Sequence, residues 1–370
     1  MSSIAQSTQR LGWDLLSHIS DLDHPQTVTA LSPTSITTVL AMLTGAADPT
    51  RRASLCAKLG VPDPSELPTL LADTLSRLSP KTADAVVTTA NAAFVDQTVE
   101  LYPAYADFLT ALDASVKQYP SLAGAVGEIN AWISDSTRGH INNMLTDAAL
   151  RQVHVVLVNA LSFKGTWATK FDRSDTKERQ PFYVSGSEEG QRGQVDMMFL
   201  RGKHVHTAKG TGFTAIRLPY TAGDMSLAAY LPNEGVPLRD VAREVSTGEG
   251  PAAGLTFRRK KYAEFGFPRF DAQTELDLLS DLQGIGLDVA GDYPELGAGQ
   301  SRLGGMIHRS VLKVNEEGTE AAAATVAMMV RSIQPRQERL VFDRPFLFEI
   351  VDGETGMPVM CGVFSVAATS

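Results

Sequence analysis

Apolar residues recur at helical spacing in the first part of the chain. Leu11 and Leu15 fall on one face of a predicted first helix, and residues 36–43 form a mostly apolar run shortly after Pro33. A proline in the first helical turn, followed by residues that are apolar around most of the circumference, is typical of a buried helix. Residues 123–142 repeat the helical spacing and predict a further amphipathic helix.

The rest of the chain is richer in β-branched and alternating apolar residues, which predict strands. Residues 153–163 suit a strand buried on both faces, within which Asn159 must find hydrogen-bond partners. Strands and helices do not alternate regularly, so the sequence predicts an α+β fold in a single domain over residues 1–370. Further strands are predicted at residues 84–96, 213–218, 225–231, 310–314, 340–342, 346–351 and 359–363, and a helix at 276–285.

Residues 315–345 combine two opposed conformational preferences. Acidic residues before the four alanines 321–324 favour a helix, since alanine has the highest helix propensity and acidic groups suit a helix start. Gly318 interrupts that start, and the β-branched Thr325 and Val326 prefer extended backbone. Small side chains with mixed propensity suit a segment that can adopt two conformations.

Composition and charge narrow the range of partners. With 43% hydrophobic and 20% charged residues among 370, the chain is expected to be a soluble globular protein with a sizeable core. A net charge of −9 argues against non-specific binding to nucleic acid or to an anionic membrane, and no apolar run is long enough to cross a bilayer. The N-terminus lacks the features of a secretion signal, so we expect a cytoplasmic protein, or an extracellular one if a signal peptide was removed. Frequent alanine, glycine and arginine suggest a prokaryotic source.

Motifs for catalysis and metal binding are largely missing. The sequence contains no G-x-S-x-G, H-E-x-x-H, Cys-x-x-Cys or Walker motif, so we expect a protein that is not an enzyme and has no cofactor and no metal site. His204 and His206 could form a metal pair on one strand face, but no cysteine or carboxylate cluster accompanies them, which favours an exposed pair. Cys56 and Cys361 are far apart in sequence and are expected to be free, buried thiols.

Short motifs follow one another in a defined order from about Leu11 to Phe364. They are Ser32-Pro33-Thr34-Ser35-Ile36, Val158-Asn159, Phe163-Lys164-Gly165-Thr166-Trp167, Leu218-Pro219-Tyr220, Leu231-Pro232-Asn233-Glu234, Pro268-Arg269-Phe270, His308, Asn315 through Thr325, and Asp343-Arg344-Pro345-Phe346. Each motif alone is weak, but the ordered set resembles the serpin family. The resemblance implies a serpin fold of three β-sheets with eight or nine helices and an exposed reactive-centre loop, here at about residues 318–339.

The resemblance also implies an inhibitor of serine proteases that acts as a suicide substrate. A protease cleaves the loop and becomes covalently attached as an acyl-enzyme, and the cleaved loop inserts into the main sheet and traps it. A non-inhibitory serpin, which acts as a chaperone or binding protein and is cleaved as a plain substrate, is the alternative. No basic helix lies between Leu59 and Val86, so we do not expect a glycosaminoglycan activator, and we expect a monomer.

The first part of the loop, called the hinge, has a composition that suits insertion. Thr319, Ala321, Ala323 and Thr325 share one face of an extended strand and are all small and uncharged, whereas Glu320, the only charged residue in 319–328, lies on the other face. Two neighbouring strands would give an inserted strand about twenty backbone hydrogen bonds, on the order of 10–30 kcal/mol. The hinge residues are Glu316, Glu317, Gly318, Thr319, Glu320, Ala321, Ala322, Ala323, Ala324 and Thr325.

Two further groups of residues correspond by resemblance to parts of the sheet that open during insertion. Ser32, Ser35, Asn159 and His308 match the shutter, a polar cluster beneath the point where the strands separate. Trp167 and Glu316 match the breach, where insertion begins. For each residue the alternative is a purely structural role in the core, and His308 is predicted to lie two residues before a strand.

The reactive bond is predicted at Arg331–Ser332. An arginine after two methionines and a valine suits a protease with an acidic primary pocket, so the expected targets are trypsin-like. The alternatives are Ser332–Ile333 and Val330–Arg331, which would direct the inhibitor towards elastase-, chymotrypsin- or subtilisin-like proteases.

Overall fold

A computed structural model describes residues 3–61, 63–78, 85–148, 150–151, 153–184, 192–221, 224–247, 254–299, 301–319 and 338–368. These ranges contain eight α-helices and twenty strands. The helices are α1 (Ser3–Ile19), α2 (Pro33–Ala46), α3 (Pro49–Leu59), α4 (Leu67–Leu78), α5 (Pro103–Ala111), α6 (Val126–Ser136), α7 (Leu238–Thr247) and α8 (Leu278–Gly284). The strands are β1 (Thr29–Leu31), β2 (Ala85–Asp96), β3 (Glu100–Leu101), β4 (Ser115–Tyr119), β5 (Val155–Thr166), β6 (Lys177–Tyr183), β7 (Arg192–Arg201), β8 (His204–Gly210), β9 (Phe213–Pro219), β10 (Met225–Pro232), β11 (Arg258–Lys261), β12 (Glu264–Pro268), β13 (Phe270–Asp277), β14 (Gly291–Asp292), β15 (Gly297–Ala298), β16 (Arg302–Asn315), β17 (Gly318–Thr319), β18 (Arg339–Val341), β19 (Phe346–Asp352) and β20 (Pro358–Phe364).

The strands form three large sheets, as the sequence analysis expected. The main sheet has the order β13-β16-β17-β5-β2-β4, with β14 also paired to β16. A second sheet runs β1-β20-β19-β10-β9-β8-β11, and a third runs β18-β12-β7-β6. In the described part of the chain, β15 and β3 form one further small pair, and no described helix has the length and apolar composition needed to cross a membrane.

The helix α2 lies in the core beneath the main sheet. The Ser32 side chain caps it, since its hydroxyl oxygen accepts the backbone N–H of Ser35 at 3.2 Å, and Pro33 occupies the first turn. All residues of α2 except Gly45 are buried, which confirms the prediction from its apolar run. Because α2 contacts both β5 and β20, its first turn lies close to the main and the second sheet.

The helix predicted over residues 123–142 is shorter in the structure. A 3-10 turn at Ala123–Ala125 is followed by α6, which ends at Ser136. Arg138 and Gly139 then adopt positive φ values of 52° and 78°, a left-handed conformation that ends a helix.

The strand predicted over residues 310–314 is longer in the structure. β16 begins at Arg302, where it pairs with β14 on one side and β5 on the other. His308, expected to precede the strand, therefore lies inside it. The sequence does not predict this part of the strand because it contains Gly304 and Gly305, and glycine is depleted in strands.

Several polar and sulfur-containing groups are buried in the core of the protein. Glu349 of β19 is fully buried, and one carboxylate oxygen accepts a hydrogen bond from the Tyr230 hydroxyl. Burial raises the pKa of Glu349 to about 7, against the opposing effect of that hydrogen bond. Both cysteines, Cys56 and Cys361, are buried and unpaired, as the sequence analysis expected.

Candidate functional site

β17 lies between β5 and β16 at one end of the main sheet. Each of its two residues pairs with β16 on one side and with β5 on the other. Beyond β17, the strands β5 and β16 pair directly with each other, in parallel, at nine register positions. A longer β17 would therefore require β5 and β16 to separate. The present pairs are Gly318 with Asn315 and Thr166, and Thr319 with Val314 and Gly165.

Gly318 allows β17 to approach β5 closely. Its φ of 151° is in the region that favours glycine. A Cβ atom at this position would lie 2.0 Å from the carbonyl oxygen of Gly165, far inside van der Waals contact. Any side chain here would displace the hinge from the sheet.

Trp167, assigned to the breach, holds the segment that leads into β17. Its indole N–H donates to the carbonyl oxygen of Asn315 at 2.9 Å, and its backbone N–H donates to the carbonyl oxygen of Glu317 at 3.0 Å. The indole stacks on the ring of Tyr220 with 4.5 Å between centroids. The Tyr220 hydroxyl in turn lies 2.9 Å from Oγ1 of Thr319. Trp167 and Tyr220 thus contact both ends of the turn between β16 and β17.

Two buried carboxylates fix the same turn. Oε2 of Glu317 accepts a hydrogen bond from Nζ of Lys170 at 2.8 Å, and Oε1 of Glu316 accepts one from the Thr176 hydroxyl at 2.6 Å. Nη1 of Arg269 lies 3.8 Å from the same oxygen of Glu316. Because buried carboxylates need charged or hydrogen-bonding partners, these contacts determine where the hinge leaves β16.

The four shutter residues meet in one buried hydrogen-bond network. The Ser35 hydroxyl donates to Oδ1 of Asn159 at 2.6 Å, and Nδ1 of His308 lies 2.7 Å from the same oxygen. Nε2 of His308 accepts the backbone N–H of Ser32 at 3.3 Å. Nδ2 of Asn159 donates to Oδ1 of Asn91 on β2 at 2.6 Å. Since Asn159 and His308 are register partners on β5 and β16, the network spans the line along which these strands pair.

The network assigns a neutral tautomer to His308. Oδ1 of Asn159 accepts, so Nδ1 of His308 carries the proton, and Nε2 is left to accept from Ser32. Burial lowers the pKa of His308 to about 3, so the ring is uncharged at neutral pH. Protonation would place a second donor at Nε2 opposite the Ser32 N–H and break that bond.

Acidification is expected to destabilise the native protein through His308. Its pKa is lower in the folded chain than the usual 6.5, so the unfolded chain binds the proton first and stability is lost as the pH falls from 6.5 towards 3. Between about pH 7.5 and about pH 5 this loss is about 2 kcal/mol. Glu349 acts in the opposite direction, because its raised pKa means that a penalty for burying the carboxylate disappears as the pH falls below 7.

A comparison of the wild type with His308→Gln isolates the contribution of His308 to the pH dependence of stability. Glutamine keeps one donor and one acceptor, and Glu349 titrates in both proteins alike. Urea titrations at about pH 7.5 and about pH 5 should show that the wild type loses about 2 kcal/mol more of its free energy of unfolding than the variant. An equal loss in both proteins would show that His308 does not carry this pH dependence.

The structure brings the predicted breach and shutter residues into two clusters along one line of the main sheet. Trp167 and Glu316 lie at the end occupied by β17, and the shutter lies further along the β5–β16 pair. Part of the hinge, residues 316–319, is described. The remaining predicted residues lie outside the described ranges: Glu320, Ala321, Ala322, Ala323, Ala324 and Thr325 of the hinge, and Val330, Arg331, Ser332 and Ile333 at the reactive bond.

Sequence analysis gave no role to several residues of these clusters. Tyr220 and Arg269 belong to two of the motifs that carry the family resemblance, Leu218-Pro219-Tyr220 and Pro268-Arg269-Phe270. Membership in these motifs was the sequence signal that could have identified them. Asn91 is a polar residue within a predicted strand, the same signal that distinguished Asn159. Lys170 and Thr176 had no such signal, because their contacts to the hinge join segments more than a hundred residues apart.

Nearly the whole chain matches one protein family. Residues 6–366 match the family described as Serpin (serine protease inhibitor). The chain belongs to the serpin family. Serpin B6 from Macaca fascicularis is 34% identical over 267 residues, which cover 70% of this chain and 67% of that protein. Serpin B9 from Homo sapiens is 28% identical over 358 residues, which cover 93% and 94%.

Solved structures share the fold of this serpin. Arabidopsis AtSerpin1, described in its native stressed conformation, has a TM-score of 0.82 at 24% identity and covers 97% of both chains. Serpin48 from the insect Tenebrio molitor has a TM-score of 0.83 at 22% identity, covering 98% of this chain and 97% of that one. The chain therefore has the serpin fold and belongs to a family of protease inhibitors.

Proposed function

We propose that this serpin inhibits serine proteases as a suicide substrate. The catalytic serine of the protease attacks the carbonyl carbon of the reactive-site residue, the peptide bond to the next residue breaks, and that nitrogen leaves as a new amino terminus. An ester to the protease remains. The freed segment inserts between β5 and β16 and carries the protease with it before water hydrolyses the ester. The protein acts once, as a monomer and without a cofactor.

The position of β17 is the observation that most directly supports this proposal. Its pairing with both neighbours sets the partner of every residue that would follow in an inserted strand. In that register Glu320 falls between Lys164 of β5 and Lys313 of β16, which line an open cleft of about 980 Å³. The carboxylate of Glu320 would thus lie between the side chains of two lysines.

The same register gives the shutter a part in insertion. Thr325 falls between Asn159 and His308, which hydrogen-bond to each other in the present structure at 2.7 Å. Insertion would separate this pair and offer the Thr325 hydroxyl to both side chains. A network that exchanges one partner for another can open without leaving a buried polar group unpaired.

The direct pairing of β5 with β16 lowers the energy available from insertion. The hydrogen bonds at their nine register positions must break before a new strand can bond to both sides. Of the roughly twenty bonds expected for an inserted strand, about ten remain as a net gain, or roughly 5–15 kcal/mol. This is comparable to the stability of a whole domain, so insertion stays favourable.

We place the reactive bond at Arg331–Ser332, with trypsin-like proteases as targets. An arginine side chain fits a primary pocket that contains a carboxylate. A bond at Ser332–Ile333 or Val330–Arg331 would instead suit elastase-, chymotrypsin- or subtilisin-like proteases. The match to the family described as serine protease inhibitors supports inhibition, and experiment must identify the target protease.

Incubation with trypsin, chymotrypsin, elastase and subtilisin tests the proposal. We expect trypsin to give a covalent complex that survives a denaturing gel, and mass spectrometry to find a released C-terminal peptide beginning at Ser332. A peptide beginning at Ile333 would keep the inhibitor and change the target class. Complete cleavage by all four proteases without a complex would contradict inhibition and favour a non-inhibitory serpin.

A further inference from the structure

A strongly basic edge ends the second sheet of this acidic protein. β11 has the sequence Arg-Arg-Lys-Lys and is the terminal strand of that sheet, paired with β8. Neither strand contains an acidic residue, although the chain as a whole has a net charge of −9. We define the basic edge as the cations on these two strands and in the turn before β8: Lys203, Lys209, Arg258, Arg259, Lys260 and Lys261.

Several cationic or titratable side chains lie side by side on one face of this edge. Arg259, His206 and Arg217 are neighbours across three adjacent strands. Burial, and after it the charges of Arg259 and Arg217, lower the pKa of His206. Arg258 and Arg259 are exposed, and neither forms an ion pair with an acidic residue in the described part of the chain. Unpaired cations on a rigid strand are free to pair with acidic groups of another molecule.

The basic edge lies beside the end of the reactive-centre loop. Glu338, where the described chain resumes after the loop, accepts a hydrogen bond from Nζ of Lys260 at 2.5 Å. Its carbonyl oxygen accepts the backbone N–H of Ala263, in the turn that joins β11 to β12. Arg339 then pairs with Glu264 at the start of β18. The C-terminal end of the loop is thus fixed to the turn that follows the basic edge.

We propose that the basic edge is a docking surface for an acidic face of the protease that the loop captures. This rests on the proposed function and on a reactive bond near Arg331. Six steps along the chain join Ser332 to Glu338, so the bond lies at most about 22 Å from Glu338, which contacts Lys260 of the basic edge. A protease domain of ordinary size is about 45 Å across. A protease seated on the loop therefore extends over the basic edge, and acidic residues on its surface can contact Arg258 and Arg259.

The geometry favours a protease over an extended polyanion. β11 contains only four residues, so its cations span about 13 Å along the sheet edge and alternate between its two faces. Cations within so short a span match a compact group of carboxylates on a folded surface that meets the sheet edge, whereas polyanion binding draws its strength from many contacts along a chain. A partner that the loop already brings to this position needs only a few ion pairs to dock.

Two forms of one protease give a sharp test. Trypsin and lysine-succinylated trypsin share the same primary pocket, but succinylation converts surface cations into carboxylates. The net charge of the inhibitor predicts slower association with the succinylated form, whereas the basic edge predicts faster association. At low ionic strength we expect succinylation to raise the second-order rate constant about tenfold for the wild type. Activity of both trypsins on a small arginine substrate controls for damage to the active site.

Reversing the charge of two arginines tests whether the basic edge causes the faster association. Arg258→Glu combined with Arg259→Glu should abolish the acceleration, while the stoichiometry of inhibition stays unchanged because the hinge is intact. The matched control is Arg10→Glu combined with Arg151→Glu, which makes the same change of charge at exposed positions on α1 and before β5. β17 pairs with the opposite end of β5, so Arg151 is far from the loop. The control should keep the acceleration.

Each outcome separates this proposal from the proposed function. If no covalent complex forms, inhibition fails, and the rate of loop cleavage by the two trypsins still measures docking. If complexes form but the two trypsins react equally fast with the wild type, the docking surface is wrong and the inhibitor stands. An acceleration lost equally in both double variants would also overturn it. The proposal would also be wrong if Arg258→Glu combined with Arg259→Glu weakened retention on immobilised heparin but changed neither association rate constant. That result would assign the basic edge to binding a polyanion.

Discussion

Thr319→Arg is expected to convert this serpin from an inhibitor into a substrate of the same protease. The Thr319 side chain is fully buried between β5 and β16, with Oγ1 2.9 Å from the Tyr220 hydroxyl. An arginine here would have to bury an unpaired charge during insertion, which is strongly unfavourable. Each 1.4 kcal/mol added to the barrier slows insertion about tenfold, so hydrolysis of the ester should overtake trapping. The number of inhibitor molecules consumed per protease, measured by titration, should rise at least about tenfold.

Two further variants make this result specific. Thr319→Val keeps the volume of the side chain and removes only the hydrogen bond to Tyr220, so it should still trap protease. Thr319 is already buried before cleavage, and an arginine there would also displace β17 in the uncleaved protein. Ala323→Arg avoids this ambiguity, because the proposed register puts residue 323 between Leu161 and Ser310, which now pair directly with each other, so an arginine could enter there only if the strands separate. Unchanged stoichiometry in both arginine variants would contradict loop insertion.

Local sequence signals were sufficient for the elements whose conformation depends on nearby residues. Pro33 and the apolar run of α2 predicted a buried helix, and the apolar residues of β5 predicted a strand buried on both faces. The α+β class followed from the order of such elements. These predictions depend on periodicity and capping, which act over one or two turns.

The sequence did not predict which segments pair when they are far apart along the chain. The early part of β16 contains Gly304 and Gly305 and is extended because β5 and β14 pair with it, not because its residues prefer strands. The partners of the hinge carboxylates, Lys170 and Thr176, lie about 140 residues away. The resemblance to the serpin family named the shutter and breach, and the structure adds which atoms meet there. The basic edge was not predicted, because the sequence alone does not show that β11 is the terminal strand of a sheet.

Cleavage of the reactive-centre loop is expected to raise the melting temperature by about 5–20 °C. Before cleavage, β5 and β16 pair directly at nine register positions, and among the described residues only Gly318 and Thr319 lie between them. Cleavage frees the hinge to add a full strand, with a net gain of roughly 5–15 kcal/mol. For a chain of 370 residues, each 1 kcal/mol raises the melting temperature by roughly 1–2 °C.

Calorimetry of intact and loop-cleaved protein measures this difference, and Ala323→Arg supplies the control. The cleaved variant has the same broken bond but cannot insert its hinge, so its melting temperature should stay near that of the intact protein. A rise in the wild type alone would attribute the gain to the new strand. Equal melting of intact and cleaved wild type would mean that the uncleaved fold is not metastable. An equal rise in wild type and variant would mean that cutting the loop stabilises the protein without insertion, and trapping would then need another source of energy.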